Sequence, residues 1–412
     1  MSTTLLDLGA HYVSDFLDDP ATEYEGRERA SLTLVMDEKI GAPRLTQVVD
    51  PDKMYGKYWY RSGTNASMTN QLRQIATEVS SRIKYEEGDV WLDIACNDGT
   101  MFQFIPNEFT KLGIDPVEDS FLELSSKAAD CVVQDYFSRD SYNRTGYGDK
   151  KCKVVTTVAM FYDLDDPIPF IQDVHSILDD NGVWVVQLSY TPLMVKQMAF
   201  DNICHEHVYY FSINSMKKLV EPHGFKIVDC SLNDTNGGSC RVYMQKVGAK
   251  ETSFGTKPLR DVCEFRVKTL LNYELTNSDV SNPEMWKEFG KKLQQMREQT
   301  VSFIRQEVAK GKKVYGYGAS TKGNTLLQYY GLTAQDITAI AERQPAKFGK
   351  YTVGTNIPII SEKEMREAKP DYLLVLPWHF IKEFVEREDE FLSTGGKFIV
   401  PCPQFEIIGK EV

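Results

Sequence analysis

This 412-residue chain is short of several things, and each shortage removes a class of protein. No apolar run approaches the ~18 residues a membrane-crossing helix needs, so none is expected. The opening "MSTTLLDLGAHYVSDF" has neither a basic leader nor an unbroken apolar core, so no signal peptide is expected. The eight cysteines (Cys96, Cys131, Cys152, Cys204, Cys230, Cys240, Cys263, Cys402) form no CxxC pair. That argues against a disulfide framework or a zinc knuckle and suits a reducing, cytoplasmic setting. Positive charge is scarce: 47 Lys and Arg stand against 59 Asp and Glu, a net charge of -12. A non-specific nucleic-acid binder needs the opposite balance. A phosphorylated small molecule does not, since one arginine and one helix N-terminus can hold it. Neither a GxGxxG nor a P-loop pattern is present.

What is present is an α/β grammar, in a chain long enough for two or three domains. Short apolar strands ("DVWLDIAC", "FTKLGIDP", "ADCVVQDYF", "KCKVVTTVAMFYD", "GVWVVQLSY") alternate with helical segments, and "FKIVDC" and "SCRVYMQKV" read as later strands of the same sheet. Residues 256–310 are charged and helical, and "KKVYGYGASTKGNTLLQYYGL" opens a second α/β unit. The division read from this is 1–70, an irregular amino-terminal region with a hairpin in "SLTLVMDE" and "PRLTQVVD"; 71–255, a Rossmann-like domain; 256–310, a connector; and 311–412, a second Rossmann-like α/β domain.

Three stretches carry chemistry. In "LDIACNDGT", Asp93 and Ala95 close a strand, and Asn97, Asp98 and Gly99 make a turn that lets a ligand approach the backbone. Asp115 ends the next strand and suits ribose hydroxyls. Asp135 suits an adenine amino group, with Tyr136 or Phe137 over the base. An acid inside the turn is awkward beside a pyrophosphate and welcome beside a charged amino-acid tail, which favours S-adenosylmethionine (SAM) over NAD; a structural turn with incidental acids is the plain alternative. "YGYGASTKGNT" sets Gly316, Gly318 and Gly323 between strand and helix, either for a phosphate assisted by Lys322 or for close packing. "DNICHEHVYYFSI" sets His205, Glu206 and His207 side by side. On a strand, His205 and His207 would face one way, a metal spacing, but no third or fourth ligand is evident nearby. A neutral histidine can accept a carbon-bound proton next to a ketone, with Glu206 orienting it and a tyrosine hydroxyl steadying the enolate. The plain alternative for His205 is a satisfied core histidine that holds the loop.

The ordered motifs "YGKYWYRSGTN", "LDIACNDGT", "LGIDP", "DYF", "DNICHEHVYYFS", "NGGSCRVY", "GYGASTKGNTLLQYYG", "KFGKYTVGTNIPI" and "PDYLLVLPWHF" span nearly the whole chain. Through them it resembles the SAM-dependent C-methyltransferases of nucleotide-linked 4-keto deoxysugars, including the 3-C-methyltransferases. The resemblance implies SAM in the first α/β domain, at Asp93, Ala95, Asn97, Gly99, Asp115, Asp135 and Tyr136. It implies His207 as base beside Glu206 and His205, and Tyr60 or Tyr58 at the sugar's reacting centre. The acceptor side would take in Asn65, Tyr162, Tyr190, Tyr209, Tyr210 and Asn236, with Gly318, Lys322 and Asn324 from the carboxyl-terminal domain. An N- or O-methyltransferase of a related sugar, an NAD-dependent enzyme and a non-catalytic nucleotide-sugar binder are the other readings.

Two departures stand out. Relatives carry an amino-terminal zinc module with two cysteine pairs. This chain has Asp37 and Ile40 where the second pair would stand, so no metal is expected. Relatives also place a histidine after the fourth strand, where this chain has Phe161 and Tyr162, and often one before the glycine pair, where it has Asn236.

Overall fold

The computed structural model describes residues 3–21, 24, 26–55, 60–64 and 66–410, without the side chains of Lys53, Tyr55 and Asn236. Tyr58 and Asn65, and the side chain of Asn236, therefore lie outside the described residues.

The amino-terminal region begins with β1 (Thr4–Tyr12), β2 (Phe16–Leu17), β3 (Arg29–Asp37) and β4 (Ala42–Leu45). The hairpin expected there is the antiparallel β3–β4 pair, and β1, which the sequence reading left irregular, pairs with β3 on its other side. Along β3 the inward residues Ala30, Leu32, Leu34 and Met36 alternate with partly exposed neighbours, the period-two pattern of a strand with one buried face. Pro43 is tolerated because β4 is an edge strand, and its carbonyl accepts the Tyr210 N–H at 2.9 Å. The Leu45 N–H donates to the Val208 carbonyl, also at 2.9 Å, so the segment after the His-Glu-His run is stitched to this edge.

The central sheet contains β5 (Val90–Ile94), β6 (Thr110–Ile114), β7 (Cys131–Val133), β8 (Cys152–Val158), β9 (Leu178–Ser189), β10 (Phe225–Asn233) and β11 (Ser239–Lys246), in the order β10-β11-β9-β8-β5-β6-β7. Strands β5 to β9 run parallel, and β11 is antiparallel to both its neighbours. Every residue of β5 is buried, as expected for a strand covered on both faces. Trp91 faces one core cluster while Val90, Leu92 and Ile94 face another. Strand order reverses beside β5, so the crevice at the carboxyl ends of β5, β6 and β8 is the expected ligand position.

A second sheet follows two long helices, Lys257–Asn277 and Pro283–Ala309. It contains β12 (Val314–Tyr317), β13 (Ile340–Glu342), β15 (Ile359–Ser361), β16 (Tyr372–Val375), β17 (Lys397–Val400) and β18 (Glu406–Ile408), in the order β15-β13-β12-β16-β17-β18; between β13 and β15 the short β14 (Tyr351–Thr352) pairs instead with β2. All its pairings are parallel except β17–β18. Trp286, Phe289, Leu293, Met296, Thr300 and Ile304 line the buried face of the second helix at three- and four-residue steps. All of these but Thr300 join Leu5, Leu32, Leu34, Met198, Phe200 and the second sheet in one apolar cluster. The amino-terminal strands thus share their core with the carboxyl-terminal unit, and residues 198–210 run along the seam between these two and the central sheet. No helix among the described residues is long and apolar enough to cross a membrane.

Candidate active site

At the carboxyl edge of β5 and β6 lies a cavity of about 240 Å³ lined by Tyr60, Asp93, Ala95, Asn97, Asp115, Tyr136, Phe137, Ala159 and Asp163 among others. Its floor is an unusual turn: Ala95, Asn97 and Gly99 all have positive φ, at 61°, 53° and 73°. Alanine seldom adopts this region, so the turn is held by its surroundings. Asp115 supplies the clamp, accepting the Asn97 N–H at 2.7 Å on one oxygen and the Val117 N–H at 3.0 Å on the other. Asn97 accepts from the Ser62 N–H at 3.0 Å, and Asp98 from the Gly63 N–H at 2.8 Å. Gly99 has no room for a side chain, since a Cβ there would lie 2.6 Å from Ser125 Cα.

Asp93 is buried and accepts the Thr156 hydroxyl at 2.6 Å. Burial pushes its carboxyl up to about 7, and the nearby Asp115 adds to the rise. Burial also raises Asp115. Two carboxyls short of counter-charge beside a left-handed turn make a receptor for a cation-bearing ligand. SAM, with its sulfonium and ammonium, fits this chemistry; Asp93, Ala95, Asn97 and Asp115 would hold it. Tyr136 lines the cavity and donates its hydroxyl to Asp52 at 2.8 Å. Asp135 differs from the expectation: its carboxylate is paired with Arg144, which occupies it away from the cavity wall.

The His-Glu-His run is a run of turns, not a strand, so the alternation expected of its side chains does not apply. The two histidines diverge. His205 is buried and its Nε2 meets the Ala30 carbonyl on β3 at 3.0 Å, which makes it a core histidine fastening the segment to the amino-terminal sheet. His207 turns its Nδ1 to the Asn202 carbonyl at 2.8 Å. A carbonyl only accepts, so Nδ1 carries the proton and Nε2 the lone pair. Burial, with the Lys322 ammonium second, pushes His207 down to about 3, so it is neutral at physiological pH. Glu206 is moved up to about 7 by burial, with Lys322 opposing.

Lys322 was expected near a phosphate. Its Nζ instead reaches this centre and donates to Asn202 Oδ1 at 2.5 Å. Burial lowers its pKa, against the carboxyls and thiol of Asp201, Cys204 and Glu206. Ligand atoms of Cys204, Glu206 and His207 lie within 4.8 Å of one another. The expectation that His207 lacks neighbours able to ligate does not hold. The Lys322 side chain stands beside the same groups, and its positive charge opposes the rise at Glu206.

The Tyr162 ring lies 4.2 Å from the His207 ring, centroid to centroid, and the Tyr162 carbonyl accepts the N–H groups of Val208 and Tyr209, each at 2.9 Å. The next residue, Asp163, lines the cofactor cavity, so the two sites are adjacent. A second cavity of about 560 Å³ lies over the carboxyl edge of β12 and β13, lined by Gly318, Ser320, Arg343, Lys347 and Arg387. Tyr60 lines both cavities. Its phenol is raised by desolvation, with the Asp98 charge adding.

Other expected acceptor residues hold the fold. Tyr190 gives its hydroxyl to Glu274 at 2.6 Å in the interior. Tyr209 donates to Asp37 at 3.2 Å and accepts from Arg44 at 3.0 Å, so Asp37 is hydrogen-bonded to the segment after His207. Asn324 holds the Asp15 carbonyl at 3.0 Å, and Gly318 lets Pro377 approach to 2.7 Å of where its Cβ would be. The Tyr210 hydroxyl is buried with no partner among the described residues. The sequence reading missed Asn202, Asp163 and Trp378, whose indole donates to Asp201 at 3.1 Å. His379, left ambiguous, is pushed down to about 3 by burial and by Lys322. All three missed residues stand inside quoted stretches, Asn202 in "DNICHEHVYYFSI", Asp163 in "KCKVVTTVAMFYD" and Trp378 in "PDYLLVLPWHF", but only Asn202 is a near neighbour of the histidines in sequence.

Residues 66–229 match the family model described as a methyltransferase domain, and residues 234–403 match that of the C-methyltransferase C-terminal domain. C-methyltransferase NovU of Streptomyces niveus is 28% identical over 389 residues, 92% of this chain and 88% of that protein. Among solved structures, the glycopeptide N-methyltransferase MtfA complexed with SAM is 14% identical, covering 46% of this chain and 96% of that chain with a TM-score of 0.33. The N-methyltransferase NodS of Bradyrhizobium japonicum WM9 is 12% identical, covering 44% and 94% with a TM-score of 0.32.

Proposed function

From its place among the SAM-dependent C-methyltransferases, to which the chain belongs, we infer that its acceptor is a nucleotide-linked 4-keto-6-deoxy sugar, methylated on a carbon next to the ketone. The observation that carries this reading is the position of Tyr60, which lines both the cofactor cavity and the carboxyl-terminal cavity. An acceptor with its nucleotide over β12 and its sugar beside Tyr60 would bring a ring carbon to the border of the cofactor cavity. The division of labour follows: residues 71–255 hold the cofactor, 311–412 grip the nucleotide, and the amino-terminal strands support the acceptor side.

Bound SAM supplies an electrophilic methyl group. His207 is the base: with Nδ1–H committed to the Asn202 carbonyl, Nε2 takes the proton from the carbon next to the ketone. The electron pair of that C–H bond is left on the enolate, whose carbon is the nucleophile for the methyl group that SAM, held by Asp93, Ala95, Asn97 and Asp115, would supply, with its sulfur as the leaving group. Tyr60, which lines both cavities, is the group available to steady the enolate oxygen. The walls exclude water, and positioning supplies much of the rate.

The test uses SAM with a carbon-13 methyl and a panel of dTDP-, GDP- and CDP-linked 4-keto-6-deoxy sugars, read by NMR. A labelled methyl on the ring carbon beside the ketone is expected. Labelling on oxygen or nitrogen, or none across the panel with SAM bound, would sink the acceptor assignment.

A further inference from the structure

We propose that Lys322 is a positioning residue for His207, acting through Asn202, so that the carboxyl-terminal domain sets the tautomer of the base in the neighbouring domain. The proposal rests on the reading of His207 as base, and it adds a role for a residue outside that histidine's own domain.

The chain of contacts is short. Lys322 stands in the first turn of helix Thr321–Tyr330, and that turn is anchored. The Ser320 hydroxyl accepts the Gly323 N–H at 3.0 Å, and Asn324 Nδ2 donates to the Asp15 carbonyl at 3.0 Å. From this fixed point Nζ donates to Asn202 Oδ1 at 2.5 Å. The other end of the same amide, Nδ2, donates to the Ala199 carbonyl at 3.1 Å. With both ends held, the Asn202 residue has one orientation, and its main-chain carbonyl meets His207 Nδ1 at 2.8 Å. The imidazole is thereby obliged to keep its proton on Nδ1 and its lone pair on Nε2.

The local chain would not enforce this by itself. Residues 200–202 are a single 3-10 turn, held by the Asn202 N–H to the Ala199 carbonyl at 3.2 Å and the Ile203 N–H to the Phe200 carbonyl at 2.8 Å, and residues 203–208 are irregular turns outside any helix or strand. Acidic and nucleophilic groups crowd the segment: Asp201, Cys204 and Glu206 all face the ammonium. From the carboxyl-terminal domain itself, His379 faces it too. Trp378 from the same domain ties Asp201 at 3.1 Å, so the segment is gripped twice from one side. A lysine serving only as a phosphate hook would be expected among the residues over β12; Lys322 does not line that cavity.

The experiment combines 15N NMR of histidine-labelled full-length protein with steady-state kinetics for Lys322→Met, Asn202→Ala and the double variant; His207→Asn assigns the signal. Wild type is expected to show His207 protonated on Nδ1. Lys322→Met is expected to give a mixture of tautomers and to lower kcat about 10- to 100-fold, as loss of orienting partners does, with SAM affinity unchanged. Asn202→Ala should reproduce part of the loss, and the double variant should be no worse than the more affected single one, because the two act in one path. Lys322→Arg, which keeps a charged donor, should restore the Nδ1–H signal. An unchanged tautomer in Lys322→Met, with the loss confined to the KM of the acceptor, overturns the proposal. So do additive losses in the double variant. If Lys322→Met does not fold, Lys322→Gln is judged by the same signal and the same additivity. The tautomer is read without acceptor. A shifted tautomer with no C-methylation sinks the functional reading alone; an unchanged one with C-methylation sinks this inference alone.

Discussion

The cofactor cavity and the His207 centre touch at Tyr162 and Asp163, yet they are assembled by different rules. The cavity grows from one crevice of one sheet, with Asp93, Ala95, Asn97 and Asp115 at the ends of adjacent strands β5 and β6. The His207 centre draws Asn202 and Glu206 from a turn that His205 fastens to Ala30 of the amino-terminal sheet, and Lys322 and Trp378 from the carboxyl-terminal domain. A parallel sheet delivers neighbouring strand ends to one edge, so a local motif can specify most of a site there. A seam has no such register, and its chemistry comes from whatever the packed units bring.

The sharpest contrast is predicted at His207. His207→Asn should lower turnover about 10²- to 10⁴-fold, the range of a lost general base, and leave SAM binding near wild type by calorimetry. Wild-type turnover in that variant would remove the base from the mechanism. Gly99→Ala should act in the opposite sense, on the cofactor side. A Cβ placed 2.6 Å from Ser125 Cα at φ 73° strains the turn, at a cost of about 1–3 kcal/mol. Weaker SAM binding and a lower Tm are expected; unchanged values would mean that the helix Asp119–Ala128 yields easily.

The smallest effect is a pH dependence. Asp93 is raised to about 7, above its unfolded value. Its contribution to stability is therefore full below the usual carboxylate range and is lost as pH rises through about 7. A bound cation relieves the charged form, so the Tm gain from SAM should be larger near pH 8 than near about pH 5.5. Asp93→Asn should flatten that difference. An equal gain at both pH values in wild type would show that Asp93 does not face the ligand's positive charge.

These differences explain what could be read from the sequence. Strand alternation disclosed the two α/β units, because periodicity records burial directly. β1 was missed because "TTLLDLGAHY" joins its sheet through a bulged register with β3, which blurs the pattern. Asp93, Asn97 and Asp115 were legible as a group, since the strand-turn-strand grammar predicts where they meet. The pairing of Asp135 with Arg144 was not legible, because it depends on the following helical turns, which no local pattern announces. His205 and His207 could not be separated, because spacing on an assumed strand said nothing about a segment that is made of turns.

The sequence by itself determined the alternation of strands and helices in the two α/β units, the tight turn after β5 and the residue types able to do acid–base work, since propensity, periodicity and glycine placement act over a few neighbouring residues. Only the tertiary structure decided that His205 turns to the Ala30 carbonyl while His207 turns its Nδ1 to the Asn202 carbonyl, and that Lys322 reaches a residue 120 positions away. Such choices depend on burial and on which carbonyl lies opposite which nitrogen. Both quantities exist only once the three units have packed against one another.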